Sequence, residues 1–229
     1  MRASTKKKGQ PKRCVYCLKE TDNLLSDNIF GHTWQGSCSP ENAARWQVSA
    51  CLDCTSKFDK VEHDFLIRIG SLFSPIEVQM LGINKEIIDF IDAKTQDSRK
   101  GISERSTIDE ILFRQILRGA KIDSKLVEKV KKGGKYSSIL DIKRLTAKLV
   151  RGLVWALNDS IIEKDHKLEI FFAHELEIKP VEEAMESLES ESICGEGVTI
   201  TVAFAQDDPQ SGIFKIKFWD KLILFAFSR

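Results

Sequence analysis

The chain has 229 residues, of which 42% are hydrophobic and 30% charged, with a formal net charge of +1. That balance excludes a disordered polyelectrolyte and leaves room for one large domain or two modest ones, each with its own core. No apolar run approaches the roughly 20 residues that span a bilayer. The basic amino-terminal stretch is followed by no apolar segment, so no signal peptide is expected and the protein is expected to be cytoplasmic, with no membrane partner.

Residues 1–13 form a basic arm carrying Arg2, Lys6, Lys7, Lys8, Lys12 and Arg13. Such an arm can lie along phosphates, with Lys6, Lys7 and Lys8 as its candidate contacts, or serve as a solvated tail. Behind it, four of the six cysteines fall in two Cys-x-x-Cys pairs, Cys14/Cys17 and Cys51/Cys54, while Cys38 and Cys194 stand alone. Paired thiols in a chain expected to be intracellular read as metal ligands before disulfides. Two such turns supply four thiolates, the closed tetrahedral shell of a structural Zn2+. Thirty-three residues separate Cys17 from Cys51, more than a plain zinc ribbon needs, so the segment between carries structure of its own.

A helix is predicted to open at the second pair, over 55–73, because Phe58, Val61, Phe65, Ile69 and Leu72 recur every three or four residues. Ser74-Pro75 closes it. Residues 75–165 read as a helical region, with short helices over 76–81 and 85–93. A Thr107/Glu110 capping box opens another helix, and a further one ends at Gly133-Gly134. The longest helix is predicted over 138–159. On it Arg144, Lys148, Arg151 and Trp155 share one arc, broadly opposite Ile142, Leu145, Leu149, Leu153 and Leu157. Basic groups around an indole can hold phosphates while the ring stacks on a base; the plain alternative is a solvated face. From residue 166 the pattern turns to strands. Predicted strands cover 167–173, 198–205, 213–219 and 222–227, with a helix over 180–190 and an Asp207-Asp208-Pro209 turn.

The run Cys14-Val-Tyr-Cys17, Leu25-Ser-Asp27-Asn28-Ile-Phe30, Trp34, Pro40-Glu-Asn42 and Cys51-Leu-Asp-Cys54 before a helix resembles the HNH endonuclease family. It is similar to the bacterial and phage branch with flanking Cys-x-x-Cys pairs, and the resemblance covers residues 14 to about 70. It implies a treble-clef zinc unit and a site for phosphodiester hydrolysis. In that site an acid binds a divalent cation such as Mg2+ and the following histidine is the general base. Asp27 matches the acid, Asn28 stands in place of the histidine, and Asn42 matches the residue that orients it. Thr55 stands where a second metal ligand belongs. An amide takes no proton near neutral pH, so the base is missing. His32, in the following loop, and Asp59 and His63, on the helix face after Thr55, are the candidate substitutes. Each also reads plainly as a loop or helix-surface residue.

The expected architecture is α+β: an HNH-like zinc unit over 14–74, a helical middle over 75–165, and a small antiparallel sheet with one helix over 166–229. Three functions follow. One is a degenerate HNH-like zinc protein that binds nucleic acid, DNA first, without cutting. A second is a metal-dependent endonuclease using substitute residues, or one inactivated at residue 28. The third is a protein-interaction module in which zinc is a folding staple, consistent with the near-neutral charge. The sequence is silent on oligomeric state.

Overall fold

The computed structural model describes residues 13–30, 46–70, 138–188, 190–194, 197–219 and 221–229. An antiparallel hairpin of β1 (Leu24–Asn28) and β2 (Gln47–Cys51) passes without a break into α1 (Leu52–Gly70). The hairpin register pairs Leu24 with Cys51 and Asp27 with Val48. Asp53 in the first turn of α1 places a carboxylate at the positive end of the helix dipole. Phe58, Val61 and Phe65 are buried, as the spacing predicts for the inner face. The short helices expected between residues 76 and 133 lie outside the described residues.

The long helix, α2 (Ser138–Asn158), matches its predicted span almost to the residue. Its buried set is wider than one stripe: Ile142, Leu145, Leu149, Val150, Leu153 and Val154 are all enclosed. The cause is packing from two directions, with α1 and β2 on one side and the carboxyl-terminal sheet on the other. Gly152 marks the closest approach. A Cβ there would stand 2.6 Å from Cγ1 of Ile29, so only hydrogen fits between α2 and the end of β1.

The sheet has five antiparallel strands in the order β3-β7-β6-β5-β4. They are β3 (Leu168–Phe172), β4 (Glu191–Cys194), β5 (Val198–Phe204), β6 (Gly212–Phe218) and β7 (Leu222–Ser228). Period-two alternation sends Ile200, Val202, Phe214, Ile216, Phe218, Leu222, Leu224 and Ala226 into the main core. Phe218 meets Phe65 of α1 edge-on at 4.9 Å between ring centres. On the other face α3 (Ile178–Ser187) buries Met185 against Ala203 and Phe225. One buried cluster thus runs from Cys14 through Leu149 to Ala226.

The sequence pattern missed β4. Its helix was expected over 180–190, but α3 occupies Ile178–Ser187 and a strand follows. Ile193 is the only buried residue in that strand, so four residues give no legible alternation; the strand exists because Ile193 pairs with Ile200. The Asp208 turn closes as expected: its carboxylate accepts from the Gln210 amide at 2.9 Å and lies 3.0 Å from His166 Nε2. Those contacts, with a bond from Ser211 Oγ, hold its carboxyl down to about 2.

Candidate metal centre and the buried Asp27 site

The first cysteine pair sits in a tight turn. The Leu18 amide donates to the Cys14 carbonyl at 2.9 Å, and Leu18 itself takes a φ of 63° to close it. The Val15 amide donates to the Ser49 carbonyl at 3.0 Å and pins this turn to β2. The second pair needs no loop at all. Cys51 ends β2 and Cys54 lies in the first turn of α1.

The four Sγ atoms of Cys14, Cys17, Cys51 and Cys54 lie within 4.8 Å of one another. Cys17 and Cys51 are 3.7 Å apart at sulfur. A tetrahedral Zn–S shell with bonds of about 2.3 Å requires about 3.8 Å between sulfurs, whereas a disulfide requires about 2.0 Å. All four are free thiols. Spacing and donor chemistry therefore fit a metal ion held by four thiolates, with no position left for a reactant. Cys14 and Cys54 perturb each other: hydrogen bonding from Cys54 draws Cys14 towards thiolate, while the same contact and burial push Cys54 the other way. Two thiols so joined already favour releasing one proton.

No family model, curated protein or solved structure matches the chain. The site is therefore read from its own geometry.

Asp27 is only 2% exposed. Its Oδ2 accepts from the Tyr16 hydroxyl at 2.8 Å and lies 3.2 Å from Nζ of Lys148, which reaches down from α2. The same Nζ donates to Oε1 of Glu62 on α1 at 2.6 Å and to the main-chain carbonyl of Asn28 at 2.8 Å. It also lies over the rings of Tyr16 and Phe58, at 5.8 and 5.7 Å from their centres. Two carboxylates and one ammonium are thus enclosed together, and Oε2 of Glu62 has no hydrogen-bond partner among the described residues. Burial raises the Glu62 carboxyl to about 7 despite the neighbouring ammonium. Burial and the Asp27 carboxylate keep the Tyr16 hydroxyl protonated.

The expected basic arc on α2 is not a solvent face. Lys148 is 1% exposed and engaged with Asp27 and Glu62, so it reaches no phosphate. Arg151 is half-buried beside the cysteine cluster; burial lowers its pKa, and the charges of Cys54, Cys17 and Cys14 oppose that shift. Trp155 is half-buried against the core. Arg144 alone of the four is exposed, bonded to Asp141 at 2.9 Å. The correction has a geometric reason: packing from two sides buries the arc that one-sided packing would leave in water.

Asp59 is exposed on α1. The Thr55 hydroxyl is buried and has no hydrogen-bond partner among the described residues. Asn28 ends β1 opposite Gln47, and its carbonyl accepts from Lys148. The side chain of His63, and all of His32, Asn42, Lys6, Lys7 and Lys8, lie outside the described residues. Arg13, counted with the basic arm, instead forms a two-pronged pair with Glu163, each bond 2.9 Å.

Tyr16 and Glu62 are the site residues that sequence reasoning missed. Glu62 had a signal. It falls between Val61 and Phe65 inside the apolar stripe of α1. A carboxylate inside an apolar stripe predicts a buried partner of opposite charge, but Lys148 lies off the apolar arc of α2, so the pattern does not name it.

Proposed function

We propose that this chain is a zinc-stapled, HNH-like module that binds nucleic acid, DNA first, without cutting it. Zn2+ is the metal that four thiolates at this spacing suit best, and its contribution is folding free energy. The hairpin running straight into a helix at the second cysteine pair supports the HNH-like, treble-clef reading. The observation that carries the non-cleaving part is the state of Asp27. The carboxylate that would recruit a divalent cation is enclosed, bonded to Tyr16 and neutralised by Lys148 at 3.2 Å. A phosphodiester cannot approach an acid that solvent does not reach.

A plasmid-nicking assay in Mg2+, Mn2+, Ni2+ or EDTA tests this, comparing the chain with Asn28→His. Neither is expected to cut, since restoring the base leaves Asp27 on Lys148. Metal-dependent nicking by the unaltered chain overturns the reading. For binding, the support is the Lys6-Lys7-Lys8 run and exposed Arg144. Fluorescence anisotropy on duplex DNA should show affinity falling steeply with salt, and a triple alanine substitution of the three lysines should reduce the slope. The net charge of +1 favours a second reading, a protein-interaction module. The absence of any DNA affinity at low salt would select it.

A further inference from the structure

Three oxygens converge on the Lys148 ammonium: Oδ2 of Asp27 at 3.2 Å, Oε1 of Glu62 at 2.6 Å and the Asn28 carbonyl at 2.8 Å. They come from the end of β1 and from α1, and are rigidly placed by the hairpin–helix junction. Oxygen donors including two carboxylates are the ligand set of a hard divalent cation. With Glu62 ionised, the two carboxylates carry two negative charges, and one ammonium offsets one of them. Oε2 of Glu62, on a residue only 1% exposed, has no hydrogen-bond partner among the described residues.

We propose that Asp27, Glu62 and the Asn28 carbonyl form a latent divalent-cation site, and that Lys148 fills it with a tethered ammonium drawn from the same chain. The site then holds no exchangeable ion and stays indifferent to Mg2+ or Mn2+. Shortening Lys148 removes the ammonium and opens room for an ion with its water. The ion would meet both carboxylates. The inference deepens the non-cleaving reading and rests on the same Asp27 geometry. Glu62 is its new element: it lies eight residues beyond Cys54 on α1, outside every position matched to the HNH pattern.

The test uses the full chain with zinc bound at the cysteines, because thiolates hold Zn2+ in preference to Mn2+. Binding of Mn2+ is read by electron paramagnetic resonance and by thermal unfolding with and without MnCl2. The unaltered chain should take up no Mn2+ and show no shift. Lys148→Ala should bind one Mn2+ per chain and unfold at a higher temperature in its presence. Lys148→Ala/Glu62→Gln and Lys148→Ala/Asp27→Asn should each lose at least tenfold in Mn2+ affinity. A folded Lys148→Ala that ignores Mn2+, or double variants that bind as well as the single, would overturn the proposal. Should Lys148→Ala fail to fold alone, refolding in MnCl2 decides: recovered near-ultraviolet circular dichroism supports it, and no recovery rejects it. Nicking is scored separately, so an unaltered chain that cuts refutes the non-cleaving reading, whereas a Lys148→Ala that takes no Mn2+ refutes the latent site.

Discussion

Two charged clusters lie on the same hairpin–helix unit and solve opposite problems. At the cysteine cluster, four thiols lie within 4.8 Å of one another and fit a cation supplied from outside the chain. At the Asp27 cluster, two carboxylates gather on the same scaffold and receive their cation from α2 of the same chain. The difference lies in reach and chemistry. Thiolates are soft and demand a soft metal, whereas carboxylates accept an ammonium on a four-carbon stem that crosses the interface between helices. With a metal as its cation, the first cluster would make the unit conditional on metal supply. The second ties the unit to α2, and through α2 to the sheet.

The largest effect expected is at the cysteine cluster. Stripping the metal with a strong chelator, or substituting Cys51→Ser, should unfold the hairpin and the start of α1. In small zinc domains such binding is worth about 10 kcal/mol or more of apparent folding free energy. Elemental analysis should give one zinc per chain before chelation, and circular dichroism should report the loss after it. Acid should act the same way, because protons compete with the metal for each thiolate. If the chelated protein keeps its unfolding temperature, the contrast between the clusters collapses.

Next comes Lys148→Met. It keeps the stem's volume but leaves two enclosed carboxylates without a cation, a change that costs about 3–5 kcal/mol. Urea denaturation measures it. Adding Asp27→Asn and Glu62→Gln to Lys148→Met should recover much of the loss, since amides carry no charge to strand. Non-recovery would mean that Lys148 stabilises by packing over Tyr16 and Phe58 rather than by charge.

The third sharpens the charge count. Burial holds the Glu62 carboxyl near 7, above its ordinary 4.5. The folded state therefore takes up this proton more readily than the unfolded one. Its contribution is complete below the ordinary carboxyl value and is lost as pH rises through about 7. At full size that loss is about 3 kcal/mol between pH 4.5 and pH 8, from about 1.4 kcal/mol per unit. Glu62→Gln should flatten that limb and make the protein more stable at pH 8 than the unaltered chain. Matching pH profiles for the two would show that the unpartnered Glu62 oxygen is satisfied by a bound water.

Legibility in the sequence followed periodicity. The two Cys-x-x-Cys pairs, α2 and the strands β5, β6 and β7 were readable because spacing or alternation repeats over enough residues to rise above chance. β4 was not, since its existence depends on a pairing with Ile200 rather than on its own pattern. Asp27 was picked out, but its surroundings were not. Tyr16 lies 11 residues away, Glu62 on another helix, and Lys148 is separated from Glu62 by 86 positions. The fate of Lys148 shows the limit most clearly. A helical wheel orders residues around one axis and assumes a single buried side; α2 is covered on two, which only the arrangement of its neighbours decides.

That two-sided covering yields the smallest and most local prediction. Gly152 of α2 faces Ile29, two residues beyond Asp27, and a Cβ there would overlap Cγ1 at 2.6 Å and Cγ2 at 2.9 Å. Gly152→Ala raises helix propensity by about 1 kcal/mol, which alone would stabilise the chain. Overpacking against a branched side chain near its backbone opposes this with about 1–3 kcal/mol, since Ile29 cannot swing clear as a long side chain would. The net expectation is mild destabilisation in urea. Gly152→Ala/Ile29→Ala, which vacates the atoms in conflict, should relieve the clash and leave a coupling between the two sites of about 1 kcal/mol. The Lys148 contacts depend on the same approach of α2 to β1. Gly152→Ala should therefore also loosen the Asp27 cluster, measurable as faster hydrogen exchange at the Ile29 amide, which donates to the Trp46 carbonyl at 2.8 Å. Unchanged exchange there, with stability lowered, would separate the docking of α2 from the burial of Asp27 and show that Lys148 can follow its carboxylates across a shifted interface.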